Sequence, residues 1–370
     1  MSEAARDGTV VPIQILRAVA AIAVVVSHAE QNLDRFAISP NASHLFLSGA
    51  AGVDLFFVIS GFVMVYASEP LFGSSRGAVT FLSHRLIRIV PLYWLATAFY
   101  VTVAVLIPGL GTAYPMGTIA ASLLFIPTLL PDGGIHPVVL QGWTLNYEML
   151  FYAIFAVAVL APRRLAVVLA TTTLIMAVLI GRLLAPLPPA MSFWTDSIVL
   201  EFVFGMIIGL GYRQGAKLNP VFCIALVIIG FAGLALTNLD SLAVRPRFLA
   251  WGAPATLVVV GATFGRFSLR SPAWSVLAVV GNASYALYLT HTFTLRALVP
   301  VAAWLSQHMT HWRWLYFVIA IAVPVLVAIP IFYAFERPVT KALRRYAPVA
   351  RGKRPITAEV QLMPAEWRSS

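Results

Sequence analysis

Apolar runs of about 20 residues recur from one end of the chain to the other, parted by short polar connections, and each is long enough for a helix to cross a bilayer. In lipid every backbone N–H and C=O must be satisfied internally, so runs of this length read as helices. The first spans about Val10 to Ala29 and the second about Gly49 to Ala67. A basic loop, Arg76 to Arg88, leads into a third that ends near Ile107, and further runs begin near Trp143, Leu165, Phe193, Val221, Phe248, Val276 and Trp314. One apolar segment, about Gly117 to Leu130, is left over. Pro127, Pro131 and Asp132-Gly133-Gly134 break it, and counting it as a crossing would put Arg163-Arg164 on the wrong side. The pattern therefore predicts an all-α integral membrane bundle of about ten transmembrane helices, with one re-entrant or interfacial segment.

Composition agrees: 60% of the 370 residues are hydrophobic and only 11% are charged, which leaves no soluble domain of useful size. The single cysteine, Cys223, excludes an intrachain disulfide and a cysteine-rich metal site. A net charge of +11 would suit nucleic acid or an acidic partner if it were clustered on a soluble face. Its placement instead follows topology. Arg76 to Arg88, Arg163-Arg164, Arg213 with Lys217, Arg266 with Arg270, and the tail carrying Arg337, Lys341, Arg344, Arg345, Arg351, Lys353 and Arg354 fall on connections that alternate as the positive-inside rule requires. Both termini are then cytoplasmic: residues 1–9 form a cytoplasmic N-terminus, 10–336 the membrane domain and 337–370 a basic tail, with no nucleic-acid partner. Gly205-Met206-Ile207-Ile208-Gly209 is a small-xxx-small pattern of the kind that packs helices. The sequons at Asn41-Ala42-Ser43 and Asn282-Ala283-Ser284 are short matches, the second within a span, and carry no argument.

The first run changes the picture because it holds Arg17 and His28. Eleven residues of helix separate them by roughly 16 Å and return to within about 20° of the same direction, so both lie on one stripe. Charged groups in a bilayer normally face a bundle interior or a water-filled cavity. Two plainer readings compete, a cleaved signal peptide and a snorkelling arginine with an interfacial histidine. Topology places His28 at the outer end of the first span, Asp54 at the start of the second, Glu148 one to two turns into the span from Trp143, and His291 at the outer end of another, so four ionisable groups are expected at one level. Thr144, Glu148 and Tyr152 share a helix face by spacing, and Arg85 and Arg88 are neighbours if helical. The arginines alone fit positive-inside placement or anionic lipid, while their forked donors also suit a phosphorylated ligand. Glu336 reads as structural or interfacial.

These residues resemble the membrane-bound acyltransferase 3 family. Arg17 and His28 match its arginine, ten residues, histidine motif, and Arg85-Leu86-Ile87-Arg88 looks like its RxxR motif. Gly52 to Phe62, Trp143 to Glu148 and Ser284 to His291 are similar to further signatures, in family order from about Ile13 to Pro338. Gln14 to His28 with Gln141 to Tyr152 looks most like the exopolysaccharide branch, typified by succinoglycan O-acetyltransferases. The resemblance implies transfer of an acyl group, commonly acetyl from acetyl-coenzyme A as co-substrate with no permanently bound cofactor or metal, to a carbohydrate or lipid-linked sugar hydroxyl in the inner (cytoplasmic) membrane. Such chemistry needs a base for the hydroxyl and alignment of both reactants. His28 is the expected base and Asp54 its orienting partner, with Glu148, His291, Trp143 and Tyr288 supporting them or binding acceptor, and Arg17, Arg85 and Arg88 holding acyl-CoA. The rival reading is a proton-coupled transporter or exporter using His28, Asp54 and Glu148 as a relay, against which stands the lack of internal repeats.

Overall fold

The computed structural model describes residues 10–39, 46–107, 111–130, 133–237, 246–267, 269 and 271–348. The Asn41 sequon, Pro131, Asp132, Arg270, the first nine residues and the tail from 349 onward lie outside them. Among the described residues there is no strand, only one bridge between Leu129 and Ile135. The helices are α1 (Val11–Arg35), α2 (Gly52–Ala67), α3 (Gly77–Leu106), α4 (Met116–Leu123), α5 (Trp143–Ala158), α6 (Arg163–Leu183), α7 (Pro189–Trp194), α8 (Leu200–Arg213), α9 (Pro220–Leu236), α10 (Ala253–Phe264), α11 (Pro272–Asn282), α12 (Ser284–Ala297), α13 (Val299–His308), α14 (Trp312–Ile331) and α15 (Arg337–Arg344). Six stretches among the described residues are long and apolar enough to cross a membrane: Val11–Arg35, Leu47–Ala67, Gly77–Leu106, Arg163–Leu183, Pro189–Arg213 and Trp312–Arg344. Pro220–Leu236 and Phe248–Phe264 are shorter apolar helices.

Local chemistry explains where these elements begin. Asn219 caps α9 by accepting from Val221 N at 2.9 Å, with Pro220 in the first turn, where a missing N–H costs nothing. α1 runs on to Arg35, beyond the expected end at Ala29, because Glu30 is satisfied inside the protein: its carboxylate accepts from Phe46 N at 2.7 Å and from Arg313 at 3.4 Å. The basic stretch expected as a loop is helical from Gly77 onward and forms the first turns of α3. No proline or further glycine interrupts it before Pro91, and that is why the helix starts early. The left-over segment contributes only α4, eight residues or about 12 Å of helix, far short of a bilayer core. Tyr93 Oη pins it, lying 2.8 Å from Ser122 Oγ.

Close packing concentrates where glycines face each other. On α2 and α8, Gly61 lies against the Phe202 carbonyl and Gly205 against the Val58 carbonyl, and Gly209 approaches Phe62 O. A side chain at either of the first two would hold the backbones apart, so the small-xxx-small pattern does pack helices. On another side Gly52 sits on the Ala20 carbonyl and Val24 of α1, and Gly281 on the Gln14 carbonyl. α1 is thus enclosed by α2, α11 and α12, and its polar stripe faces protein.

Candidate active site

A cavity of about 110 Å³ opens among α1, α2, α3, α5 and α12. Arg17, Arg85 and Arg88 all line it, so the arginines from two helices meet at one place. Arg85 is buried, its guanidinium 5.6 Å from the Phe81 ring and 6.0 Å from that of Tyr152. Thr144, Glu148 and Tyr152 line the wall contributed by α5, the face that their spacing marks. Glu148 accepts from Ser60 Oγ at 3.1 Å and from the Tyr152 hydroxyl. Tyr285 donates to Ile89 O at 2.7 Å and ties α12 to α3 beside the arginines.

His28 is not on the cavity wall but lies eleven residues along unbroken α1 from Arg17, a rise of roughly 16 Å. There it meets His291, with His291 Nε2 at 3.2 Å from His28 Nδ1 and ring centroids 5.0 Å apart. The backbone assigns the protons. His28 Nδ1 is 3.0 Å from Val24 O and His291 Nδ1 is 3.1 Å from Leu287 O; a carbonyl only accepts, so each Nδ1 carries a hydrogen. His291 Nε2 then points its lone pair at that same His28 Nδ1–H, which it shares with Val24 O. His28 Nε2 is left bare, with no hydrogen-bond partner among the described residues. An imidazole anchored at one nitrogen with its other lone pair free is fitted to take a proton.

Tyr288 joins the two regions: it lines the cavity, and its ring lies 6.0 Å from that of His291. Its hydroxyl donates to Gln141 O at 3.2 Å and accepts from Thr144 Oγ1 at 3.0 Å, while Thr144 Oγ1 also approaches Gln141 O at 3.1 Å. The knot borders the cavity through Thr144 and Tyr288, and the imidazole pair through the Tyr288 ring.

The expected contact between Asp54 and His28 is not formed. Asp54 is fully buried, and its two oxygens accept from Arg247 Nε and Nη2, each at 2.8 Å. Helix rotation explains it: Gly52 faces α1, and two residues further on the side chain has turned by about 200°, away from His28. Glu148 likewise stays with Ser60 and Tyr152 in the cavity, so of the four groups expected at one level only His28 and His291 touch. Trp143 packs over Arg247, 5.5 Å from its guanidinium to the ring centre, with Trp251 at 4.8 Å on the same cation. Arg247 opens a π-helical turn, Phe248–Gly252, and Glu336 closes another, Phe332–Glu336. Arg247 and the fully buried Glu201 escaped sequence reasoning. Their signals were an arginine on a connection of the sparsely basic side and a lone carboxylate inside an apolar run.

The acyltransferase domain family, known as acyltransferase 3, is matched by residues 11–333. The chain belongs to that family. It is an O-acyltransferase. This acyltransferase is 38% identical to the exopolysaccharide production protein ExoZ of Rhizobium meliloti (strain 1021), over 70% of this chain and 81% of that one. It is 25% identical to the acyltransferase MdmB of Streptomyces mycarofaciens, over 93% and 95% of the two chains. A shorter match, 32% identical over 38% of this chain, is to protein 2 in the picA locus of Rhizobium radiobacter. No solved structure matches.

Proposed function

We propose that this acyltransferase moves an acyl group, acetyl in the first instance, from cytoplasmic acyl-CoA to a hydroxyl of a carbohydrate such as an exopolysaccharide or its lipid-linked precursor. The observation that carries the reading is one helix, α1, bearing an arginine in a cavity with two others and, eleven residues on, a histidine whose Nε2 is bare. Arginine forks suit the phosphates of the nucleotide end, and the rise of roughly 16 Å between Arg17 and His28 suits the pantetheine arm. In the step itself His28 Nε2 takes the proton of the acceptor hydroxyl as its oxygen bonds to the thioester carbon. Collapse then breaks the C–S bond, and the departing thiolate takes the proton back from His28. His291 Nε2, accepting from His28 Nδ1–H, stabilises the imidazolium between those events. The carbohydrate acceptor is supported by the likeness to ExoZ.

The same reading makes the shorter helices crossings too: ten spans in the inner membrane, both ends cytoplasmic, donor entering from the arginine side and acceptor from the His28 side. The test is label from acetyl-CoA appearing in an ester on sugar acceptor, with purified protein in lipid. His28→Ala is expected to abolish the product while leaving insertion and elution unchanged. Full turnover in that variant removes the mechanism.

A further inference from the structure

Gln141 is the polar group beside the imidazole pair for which the mechanism above has no use. It lies in the turn Leu140–Gly142 that leads into α5 and is only 5% exposed. Its side-chain Oε1 accepts from Thr292 Oγ1 at 3.2 Å, and its backbone carbonyl accepts from Tyr288. Tyr288, His291 and Thr292 stand at helical spacings of three and four, so they share one face of α12, and His28 meets that same face. Gln141 is therefore clamped against the turn that presents His291 to His28. With its carbonyl oxygen engaged, its amide nitrogen offers two N–H donors that make no hydrogen bond among the described residues. That nitrogen is not sealed inside the protein, so its donors are open to an acceptor supplied from outside. Asn146 also has an amide without partners, but that amide is buried on both atoms and makes no hydrogen bond to the helix that carries His291.

We propose that Gln141 Nε2 is the hydrogen-bond donor to the thioester carbonyl oxygen, and that it stabilises the oxyanion formed during acyl transfer. The proposal rests on the acyl-CoA reading given above. As the acceptor oxygen bonds to the carbonyl carbon, the π pair moves onto the carbonyl oxygen, and a donor preset at that point lowers the barrier without reorganising. When that pair re-forms the C=O bond, the C–S bond breaks and the contact relaxes. The Thr292 hydroxyl, holding Oε1, sets which end of the amide faces the reaction.

The test uses the full-length protein in lipid, with acetyl-CoA and sugar acceptor. Gln141→Met keeps length and removes the donor, while Gln141→Glu keeps shape and substitutes an acceptor. For both, kcat is expected to fall by about 10²–10³, the loss typical of a removed oxyanion donor. KM for acetyl-CoA should stay within about threefold, since the contact strengthens only in the transition state. Thr292→Val should cost less, because the donor remains but is no longer oriented. A second readout separates chemistry from scaffolding: the carbonyl stretch of ¹³C-labelled acetyl-CoA bound to the inactive His28→Ala protein. That band should lie at lower frequency with Gln141 than with Met in its place. Unchanged kcat in Gln141→Met, or equal band positions, overturns the proposal even while His28→Ala remains dead. Turnover surviving in His28→Ala overturns the underlying reading instead.

Discussion

Replacing Arg247 by methionine leaves a side chain of similar length with no charge, and the structure sets what that should cost. Asp54 is 0% exposed and both of its oxygens are held by the one guanidinium, in fork geometry at 2.8 Å each. Glu201 is equally buried and faces the same Asp54–Arg247 pair. Removing the cation strands a fully buried carboxylate, which typically costs about 3–5 kcal/mol. The ring contacts with Trp143 and Trp251 add about 0.5–1 kcal/mol each and do not alter the order of magnitude. Arg247→Met is therefore expected to lower stability by about 3–5 kcal/mol, roughly a hundredfold to a few thousandfold in the folding equilibrium, read by denaturant titration in micelles. Asp54→Leu combined with Arg247→Met should recover most of the loss, because no desolvated charge of that pair then remains. Turnover per folded molecule should survive in the double variant, since neither residue lines the cavity or touches either histidine. A stable Asp54→Asn protein with no turnover would refute this reasoning and return the carboxylate to the chemistry.

Two other outcomes follow from the geometry. Arg88→Met should raise KM for acetyl-CoA by about 10- to 100-fold through loss of a charge-assisted contact, while acetyl-pantetheine, lacking the nucleotide, should be used equally well by both proteins. Gly205→Leu should collapse the yield of folded protein on size-exclusion chromatography, because its side chain falls on the Val58 carbonyl and Gly61; Gly117→Ala, in open space, is the silent control.

Much of this arrangement was legible from periodicity. The span starts near Trp143, Leu165 and Phe248 fall within two residues of helix or π-turn starts at Trp143, Arg163 and Phe248, since lipid allows apolar runs few alternatives. The meeting of Arg17, Arg85 and Arg88 was legible too, because charge in an apolar run has to face something. Partner choice was not. Asp54 and His28 are expected at one depth, yet helix rotation decides which neighbour a side chain sees, and that neighbour, Arg247, stands 193 residues away. Depth comes from hydropathy, whereas azimuth comes from glycine contacts such as Gly52 on Ala20, which no single-sequence pattern reveals. The His28–His291 contact is intermediate: the expected common level allowed it, and only the packing of α1 against α12 made it.

The hydrogen-bonded knot of Thr144, Tyr288 and Gln141 has a consequence outside catalysis. An energised membrane drives each elementary charge with about 2.3 kcal/mol per 100 mV, so a wet path from an arginine-lined chamber to a bare imidazole would short-circuit the cell that makes it. On the proposed donor route, the Thr144 and Tyr288 hydroxyls, fastened to each other and to the Gln141 backbone carbonyl, would insulate the passage at rest, and an acyl chain threaded past them would be the cargo that breaks the seal.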